Sequence, residues 1–218
     1  MLKLGEKGVI PQRDKETYAI APHIPCGLVT PTLLRKIADV AETYNAQALK
    51  ITGAHRIAII GLREADIDAA WEDLGLDIGA AVGLCVRSIR ACPGTTYCRL
   101  GKQDSLKMGM ILDERYHGMT LPAKFKMAVS GCKLNCVESP VRDLGLTGKK
   151  EGWTLTLGGS VGANPRIGEI VAEGLDDETA LSAVSSILDF YKDNAKPAER
   201  LNKVIQRVGL DAFADRVS

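Results

Sequence analysis

The 218-residue sequence has little that would direct it to a membrane or to nucleic acid. No apolar run approaches the roughly 20 residues of a membrane-spanning helix, so we expect no membrane span. The N-terminal stretch MLKLGEKGVIPQRDKE lacks the apolar core of a secretory signal peptide, and we therefore expect a cytoplasmic protein. Aromatic residues make up only 5% of the chain and there is no lysine-rich tail, so we expect no nucleic-acid partner.

The net charge is only +1, but the charge is unevenly distributed along the chain. Residues 81–150 contain 12 Lys and Arg against 5 Asp and Glu, a net of +7, whereas the remaining residues contain 16 against 22, a net of −6. Lysines and arginines in a pocket bind oxyanions and carboxylates through charge-assisted hydrogen bonds. The basic middle of the sequence therefore predicts a polyanionic ligand.

The first third of the sequence predicts a small unit of strands and helices. Strands are predicted within 17–25, where the strand runs into a Pro-containing loop, and at 47–52 and 56–62, and helices are predicted at 30–45 and 63–76. Thr30 is a suitable N-cap for the first helix, and Gly75 is a suitable end for the second. The order strand, helix, strand, strand, helix resembles half of a ferredoxin-like sandwich.

From about Ile78 the composition becomes rich in Gly, Cys and basic residues, which predicts domains at 1–78 and 79–218. Further helices are predicted at 104–118, at 177–195 with Asp177 as the N-cap, and at 197–209. Strands are predicted at 123–131 and from residue 153, where the strand leads into a Gly-rich loop. Lys124 and Lys126 would share one face of the strand at 123–131. The GGSVG stretch at 158–162 does not match a dinucleotide-binding fingerprint.

Four of the six cysteines form two pairs within the basic middle, spaced C-x5-C and C-x3-C. Four thiolates suit a tetrahedral zinc ion or an iron–sulfur cluster, and the five-residue gap is wide for zinc and favours the cluster. Unrelated buried thiols are the alternative, and that is our interpretation of the two other cysteines. The pairs are Cys92 with Cys98 and Cys132 with Cys136, and the two others are Cys26 and Cys85.

Three stretches together resemble the sirohaem and [4Fe–4S] domain of the sulfite and nitrite reductases: VRSIRACPGTTYCRLG, LPAKFKMAVSGCKLNC and WTLTLGGSVG. The N-terminal third, through KITGAHRIAIIGL, resembles the ferredoxin-like half-domain of that family. The small size is most similar to the assimilatory-type sulfite reductases of anaerobes. The resemblance implies an α+β fold, in which a ferredoxin-like half-domain is followed by an α/β domain that binds sirohaem and a [4Fe–4S] cluster.

The resemblance also implies roles for the cysteines and their neighbours. The [4Fe–4S] ligands would be Cys92, Cys98, Cys132 and Cys136. Cys136 would in addition bridge the cluster to the sirohaem iron. Asn135 and Arg142 would contact the sirohaem, whose eight carboxylates would account for the basic middle of the chain.

A second group of residues resembles the family's anion-binding side chains. Arg87 matches an arginine that contacts the bound anion and the cofactor, and Lys124 and Lys126 match a pair of lysines. Ala54 occupies the place of a further family arginine, and Arg56, two positions on, is a candidate to replace it. These four basic residues are the predicted catalytic residues.

The resemblance implies the six-electron reduction of sulfite to sulfide. Reduction of nitrite to ammonia is the alternative within the family. Outside the family, the alternatives are an electron-transfer or redox-sensing protein with a cluster but no haem, and a zinc-stabilised binding module. No second cluster motif is present, so electrons would come from a separate protein such as ferredoxin or rubredoxin. Larger family members contain the two domains twice, and this chain contains them once. Two arrangements of the active site are therefore possible, a self-contained monomer or a homodimer in which two copies share each site.

Overall fold

The structure, a computed structural model, describes residues 1–217 and divides the chain into two units, Met1–Gly83 and Leu84–Ser218. Both units combine helices with a β-sheet, which confirms the predicted α+β class. No helix in the described range has the length and apolar character needed to cross a bilayer. The boundary predicted from composition, between residues 78 and 79, stays a prediction.

The first unit contains a four-stranded antiparallel sheet with strand order β1-β2-β4-β3 and two helices. Its elements are β1 (Ile10–Pro11), β2 (Tyr18–Ile20), α1 (Pro31–Thr43), β3 (Ala48–Ile51), β4 (Ile57–Leu62) and α2 (Ile67–Leu74). Short 3₁₀ helices lie at Glu6–Gly8, Pro25–Gly27 and Glu64–Asp66.

The local signals at the ends of both helices act as predicted. The Thr30 side chain accepts the Leu33 N–H at 3.1 Å and begins α1, and Gly75, with φ of 57°, ends α2. Side chains from both helices and from β2 and β4 form one buried cluster that includes Ile37, Ile59 and Leu74. Full burial of an aliphatic side chain contributes about 1.5–3 kcal/mol, so this cluster holds the unit together.

The second unit contains a five-stranded sheet with order β5-β6-β7-β8-β9, in which β5, β6 and β7 are parallel and β8 and β9 are antiparallel to their neighbours. The strands are β5 (Arg90–Ala91), β6 (Met127–Ser130), β7 (Leu144–Lys149), β8 (Gly152–Leu157) and β9 (Glu169–Leu175). The helices are α3 (Gly94–Tyr97), α4 (Ser105–Tyr116), α5 (Asp177–Asn194), α6 (Leu201–Val208) and α7 (Asp211–Ala214), with a 3₁₀ helix at Ser139–Val141.

Two helix starts in this unit differ from the sequence prediction. The N-cap of α5 is Asp176 and not Asp177, because the Asp176 carboxylate accepts the Thr179 N–H at 2.8 Å. Helix α6 begins at Leu201 and not at Pro197, because Ala198 has a φ of 61° and the Arg200 backbone is extended. Tertiary contacts of residues 198–200 outweigh the helical pattern there.

The strand predicted at 123–131 is also shorter than expected. Regular pairing starts at Met127, so Lys124 and Lys126 precede β6 instead of lying within it. Phe125 between them is fully buried and forms an isolated bridge with Val86. The two lysines therefore flank a buried ring on a segment that leads into the sheet.

Candidate functional site

Both cysteine pairs begin at the same edge of the second sheet. Cys92 directly follows β5 and Cys132 comes two residues after β6, and the two strands are parallel neighbours. The Cys92 N–H donates to the Val129 carbonyl at 3.2 Å, which continues the pairing beyond the strand. Because the carboxyl ends of parallel strands meet at one edge of a sheet, the topology brings the two cysteine loops together.

Glycines allow the backbones of the two cysteine loops to touch. A Cβ added at Gly131 would lie 2.8 Å from the Gly94 Cα and 2.9 Å from the Gln103 carbonyl oxygen. A Cβ added at Gly94, whose φ is +56°, would lie 2.5 Å from the Ser105 nitrogen. Neither position has space for a side chain. The close approach fixes the first cysteine loop against the second.

The four paired cysteines are free thiols with graded exposure: Cys92 and Cys132 are buried, Cys98 is intermediate and Cys136 is exposed. The Cys92 Sγ accepts the Gly131 N–H at 3.1 Å and lies 3.2 Å from the Ser105 Oγ. Cys92 also packs with Ala128 and Val137, so it lies next to the segment that carries Cys136.

Among residues 1–217, no three His, Cys, Asp or Glu side chains are grouped as ligands for a single metal ion. The chemistry of the paired cysteines is that of soft thiolate donors, which bind iron–sulfur clusters and zinc. The [4Fe–4S] ligand set of Cys92, Cys98, Cys132 and Cys136 stays a prediction.

Arg87 lies beside the segment of the two lysines. The Arg87 N–H donates to the Phe125 carbonyl at 2.9 Å, and the Phe125 N–H donates to the Cys85 carbonyl at 3.0 Å. Lys124 is exposed, whereas Arg87 and Lys126 are half-buried. The structure thus brings together three of the predicted anion-binding residues by backbone pairing ahead of β5 and β6.

Electrostatic effects extend this group to a fourth cation, Arg200. Burial lowers the pKa of Lys126, and the positive charges of Lys124, Arg200 and Arg87 lower it further, while Asp143 opposes them. Burial likewise lowers the pKa of Arg87, and Arg200 adds to that effect while Cys85 opposes it. We call Arg87, Lys124, Lys126 and Arg200 the cationic group. An anion bound there would relieve the mutual repulsion of these side chains.

Asp143 and Arg200 are residues that the sequence analysis missed. The Arg200 guanidinium donates through Nη2 to both Asp143 carboxylate oxygens, at 2.7 and 2.8 Å, and through Nε at 3.1 Å. The partners are 57 residues apart, so no local pattern links them. Arg200 lies within the predicted helix, and the only available signal was its basic charge.

Of the predicted sirohaem contacts, Asn135 lies within the second cysteine pair, directly before Cys136, and Arg142 lies on the loop that follows the pair and returns to β7. The Asn135 amide oxygen accepts the Thr147 hydroxyl at 2.9 Å, so this side chain helps to shape the loop. Arg142 is 5% exposed and pairs with Glu138, which also accepts from Arg90 at 3.1 Å. The Arg142 Nε is buried and has no hydrogen-bond partner within residues 1–217.

Arg56 is part of the first unit, whereas the cationic group lies in the second. It is 7% exposed and closes a tight turn, in which its N–H donates to the Thr52 hydroxyl at 3.2 Å and its carbonyl accepts the Thr52 N–H at 2.8 Å. Its role in anion binding stays a prediction.

Comparison with known families and proteins gives matches to both units. The family described as "Nitrite and sulphite reductase 4Fe-4S domain" matches residues 82–218, and the "Nitrite/Sulfite reductase ferredoxin-like half domain" matches residues 10–76. The chain is 44% identical to the assimilatory-type sulfite reductase of Nitratidesulfovibrio vulgaris over 211 residues, which cover 97% of both chains. It is 39% identical to the nitrite reductase [NAD(P)H] of Bacillus subtilis over 89% of this chain but only 24% of that protein.

Solved structures show the same fold at low sequence identity. A crystal structure of dissimilatory sulfite reductase I superposes with a TM-score of 0.79 at 15% identity, covering 92% of this chain and 69% of the other. The Mycobacterium tuberculosis NirA protein superposes with a TM-score of 0.79 at 18% identity, covering 92% of this chain and 39% of the other.

Proposed function

Because the chain belongs to the nitrite and sulphite reductase 4Fe-4S family, we propose that it is a sulfite reductase that converts sulfite to sulfide. The observation that carries the proposal is the 44% identity over 97% of both chains to a protein of matching size that is an assimilatory-type sulfite reductase. A coenzyme F420-dependent sulfite reductase of Methanocaldococcus jannaschii is also similar, at 35% identity over 66% of this chain. The nitrite reductase of Bacillus subtilis has lower identity than the assimilatory-type protein and is about four times longer.

The residues present fit the two cofactors of this family, a [4Fe–4S] cluster and sirohaem. Four free thiols follow parallel strands, and Cys92 already accepts an N–H hydrogen bond. Cys136 is exposed, which supports its proposed role as a thiolate that would also contact the sirohaem. The buried Arg142 Nε needs an acceptor, which a sirohaem carboxylate would provide. When bound, the cofactors would relay six electrons from an external donor to sulfite held at the haem iron.

The cationic group has the properties that reduction of an oxyanion requires. Its charges would bind sulfite and orient it through charge-assisted hydrogen bonds. The three oxygens of sulfite leave as water, which consumes six protons. Because burial and its cationic neighbours lower the pKa of Lys126, this lysine donates a proton more readily than a solvent-exposed lysine would.

The position of the cationic group supports a homodimer with shared sites. Lys126 directly precedes the strand β6 and Cys132 lies two residues after it, so the four residues of the strand separate them, about 13 Å at 3.3 Å per residue. The cationic group and the cysteines therefore lie at opposite ends of the parallel strands. In a C2 dimer, the cysteines of one copy would face the cationic group of the second copy, which would complete two equivalent sites.

A basic surface beside the cysteines supports an external electron-donor protein with an acidic face, such as a ferredoxin or rubredoxin. A pocket of about 460 Å³ is lined by Cys132 and by four lysines, and Leu100 and Leu134 contribute apolar surface that is 51% and 59% exposed. The lysines are Lys102, Lys133, Lys149 and Lys150. Complementary charge steers such encounters, which bury little area.

The donor surface is tested by reversing one charge at the pocket. Lys133→Glu should raise the KM for a reduced acidic ferredoxin several-fold at low salt and leave the rate with a small chemical reductant unchanged, because only the protein donor is steered electrostatically. The matched control is Lys192→Glu on α5, which also reverses one exposed lysine. An equal effect of both variants would contradict a specific surface.

The proposed activity is tested on protein purified without oxygen. We expect strong visible haem bands, iron and acid-labile sulfide in the protein, and a higher kcat/KM for sulfite than for nitrite with a chemical reductant. Cys136→Ser should abolish sulfide production, because it removes the proposed bridge. Colourless protein, or a preference for nitrite, would contradict the proposal, and zinc without iron would favour a binding module instead.

A further inference from the structure

Asp143 is a buried carboxylate that ties Arg200 to the backbone of Lys126. Its side chain is 1% exposed, and its Oδ2 accepts the Lys126 N–H at 2.9 Å. The Arg200 guanidinium binds both carboxylate oxygens of Asp143. Burial raises the pKa of Asp143, whereas Arg200 and the Lys126 N–H oppose that effect. Every contact that Asp143 makes here uses it as an acceptor, which fits the ionised form.

The chain before α6 is held at two further points, one next to the lysine segment and one on α5. The Ala198 N–H donates to the Pro122 carbonyl at 2.9 Å, and the Tyr191 hydroxyl donates to the Glu199 carbonyl at 2.6 Å. Ala198 adopts a φ of 61°, which is unfavourable for alanine. The fold therefore holds residues 198–200 in a non-helical path, and that path delivers the Arg200 side chain to Asp143.

This arrangement has a consequence for Lys126. Without a partner, the buried Asp143 carboxylate would attract the nearest cation, and Lys126 and Arg200 are the cations that act on it. Arg200 occupies both carboxylate oxygens in a bidentate pair, which leaves the Lys126 ammonium available for an anion. The Arg200 side chain remains 26% exposed, so its charge also reaches the surface of the cationic group.

We propose that Arg200 is a positioning residue of the sulfite site, which keeps Lys126 free for the substrate by neutralising Asp143 and adds its own charge to the cationic group. The inference rests on the proposed sulfite reductase function. It assigns a role to residues 198–200, the connection before α6, none of which is among the predicted anion-binding residues.

The test is Arg200→Gln in the holoprotein. We expect the sulfite KM to rise about tenfold, in line with the loss of an interaction with a charged group. The charged groups that act on Lys126 are Lys124, Arg87, Asp143 and Arg200, and three of them are positive. Removing Arg200 therefore raises the pKa of Lys126, and the alkaline limb of kcat/KM should move to higher pH. Arg200→Lys retains the charge and should recover part of both effects.

A second readout does not depend on turnover. Titration of the oxidised holoprotein with sulfite, followed by the visible haem absorbance, should give a Kd that rises in Arg200→Gln as the KM does. The control is Lys203→Gln, which removes one exposed positive charge from α6 and should leave the KM, the Kd and the pH profile unchanged. If Arg200→Gln does not fold, the double variant Arg200→Gln/Asp143→Asn leaves no unpaired buried charge. Its KM and Kd for sulfite should still rise, because the positive charge of Arg200 is lost from the cationic group. Its alkaline limb should move less than that of Arg200→Gln, because the loss of Asp143 opposes the loss of Arg200 in setting the pKa of Lys126.

The outcomes separate this inference from the proposed function. The role of Arg200 alone would be overturned if the wild type is active and the Arg200→Gln variant, with both cofactors bound, has the same KM, Kd and alkaline limb of kcat/KM as the wild type. A lower Tm with no other change would do the same, because it would show a purely structural pair. A wild type that reduces no sulfite would overturn the proposed function and this inference with it.

Discussion

A mixture of two inactive variants gives the sharpest test of how the site is assembled. Cys136→Ser removes the proposed bridging thiolate, and Lys126→Met removes a charge from the cationic group. Each variant alone should produce little sulfide. If the cysteines of one copy face the cationic group of the second copy, a mixed dimer contains one site in which both sides are intact.

The expected recovery follows from the geometry. The whole of β6, about 13 Å at 3.3 Å per residue, separates Lys126 from the loop of Cys132, which is more than a lysine side chain spans and supports a site completed by two copies. Random exchange of equal amounts gives mixed dimers as half of the population, and one of the two sites in each is complete. The mixture should therefore recover about one quarter of the wild-type specific activity.

The assay is sulfide production with a chemical reductant after the subunits have been mixed and incubated. Exchange is verified separately, with a tag on one variant that captures the other. The matched control mixes Cys136→Ser with Cys132→Ser, in which every dimer lacks an intact cysteine set, and it should recover nothing. Verified exchange with no recovered activity in the first mixture would refute the shared-site arrangement and favour a site that each copy completes alone.

Three further predictions concern the scaffold. Gly131→Ala should lower the iron content and cost about 1–3 kcal/mol of unfolding free energy, because the new Cβ would meet backbone atoms at 2.8–2.9 Å. The control is Gly162→Ala, where a Cβ meets open space and neither quantity should change. Equal iron contents in the two variants would contradict this prediction. Asp176→Ala should cost about 1 kcal/mol through loss of the α5 cap, measured by urea unfolding, and a null result would show that the cap is not needed. Hydrogen bonds from Arg207 and, to a smaller extent, from the Lys196 N–H lower the pKa of Glu199 to about 2. This carboxylate therefore stabilises the fold above its unfolded pKa near 4.5, and that contribution is lost as the pH falls through 2. Arg207→Gln should flatten the fall in stability between pH 5 and 2, and an unchanged slope would refute the pairing.

Local features of the fold could be predicted because their causes are local. Thr30 caps α1 through the N–H three residues later, and Gly75 ends α2 because it adopts a left-handed conformation. The spacing of each cysteine pair is likewise a property of a short loop, which is why it indicated a cluster without a structure. The family resemblance carried the function, since residue type and order along the chain define it.

The predictions that failed involve contacts between distant segments. The 197–209 stretch has helical periodicity from its first residue, yet α6 begins at Leu201 because residues 198–200 bind Pro122, Tyr191 and Asp143 instead. The strand expected from residue 123 begins at Met127, because Phe125 bridges to Val86 ahead of the regular sheet. Intrinsic propensity is a weak signal that tertiary contacts of this kind override.

The sequence by itself determined the two thiol pairs and the excess of positive charge around them, because composition and spacing are written along the chain, and its resemblance to a known family implied the fold class. Only the tertiary structure decided which charges act together and where they lie. Parallel pairing of β5 with β6 places the cysteines at one end of the strands and Lys126 at the other. Burial of Asp143 selects Arg200 from 57 residues away, because a desolvated carboxylate requires a partner and sequence distance does not limit which one it finds.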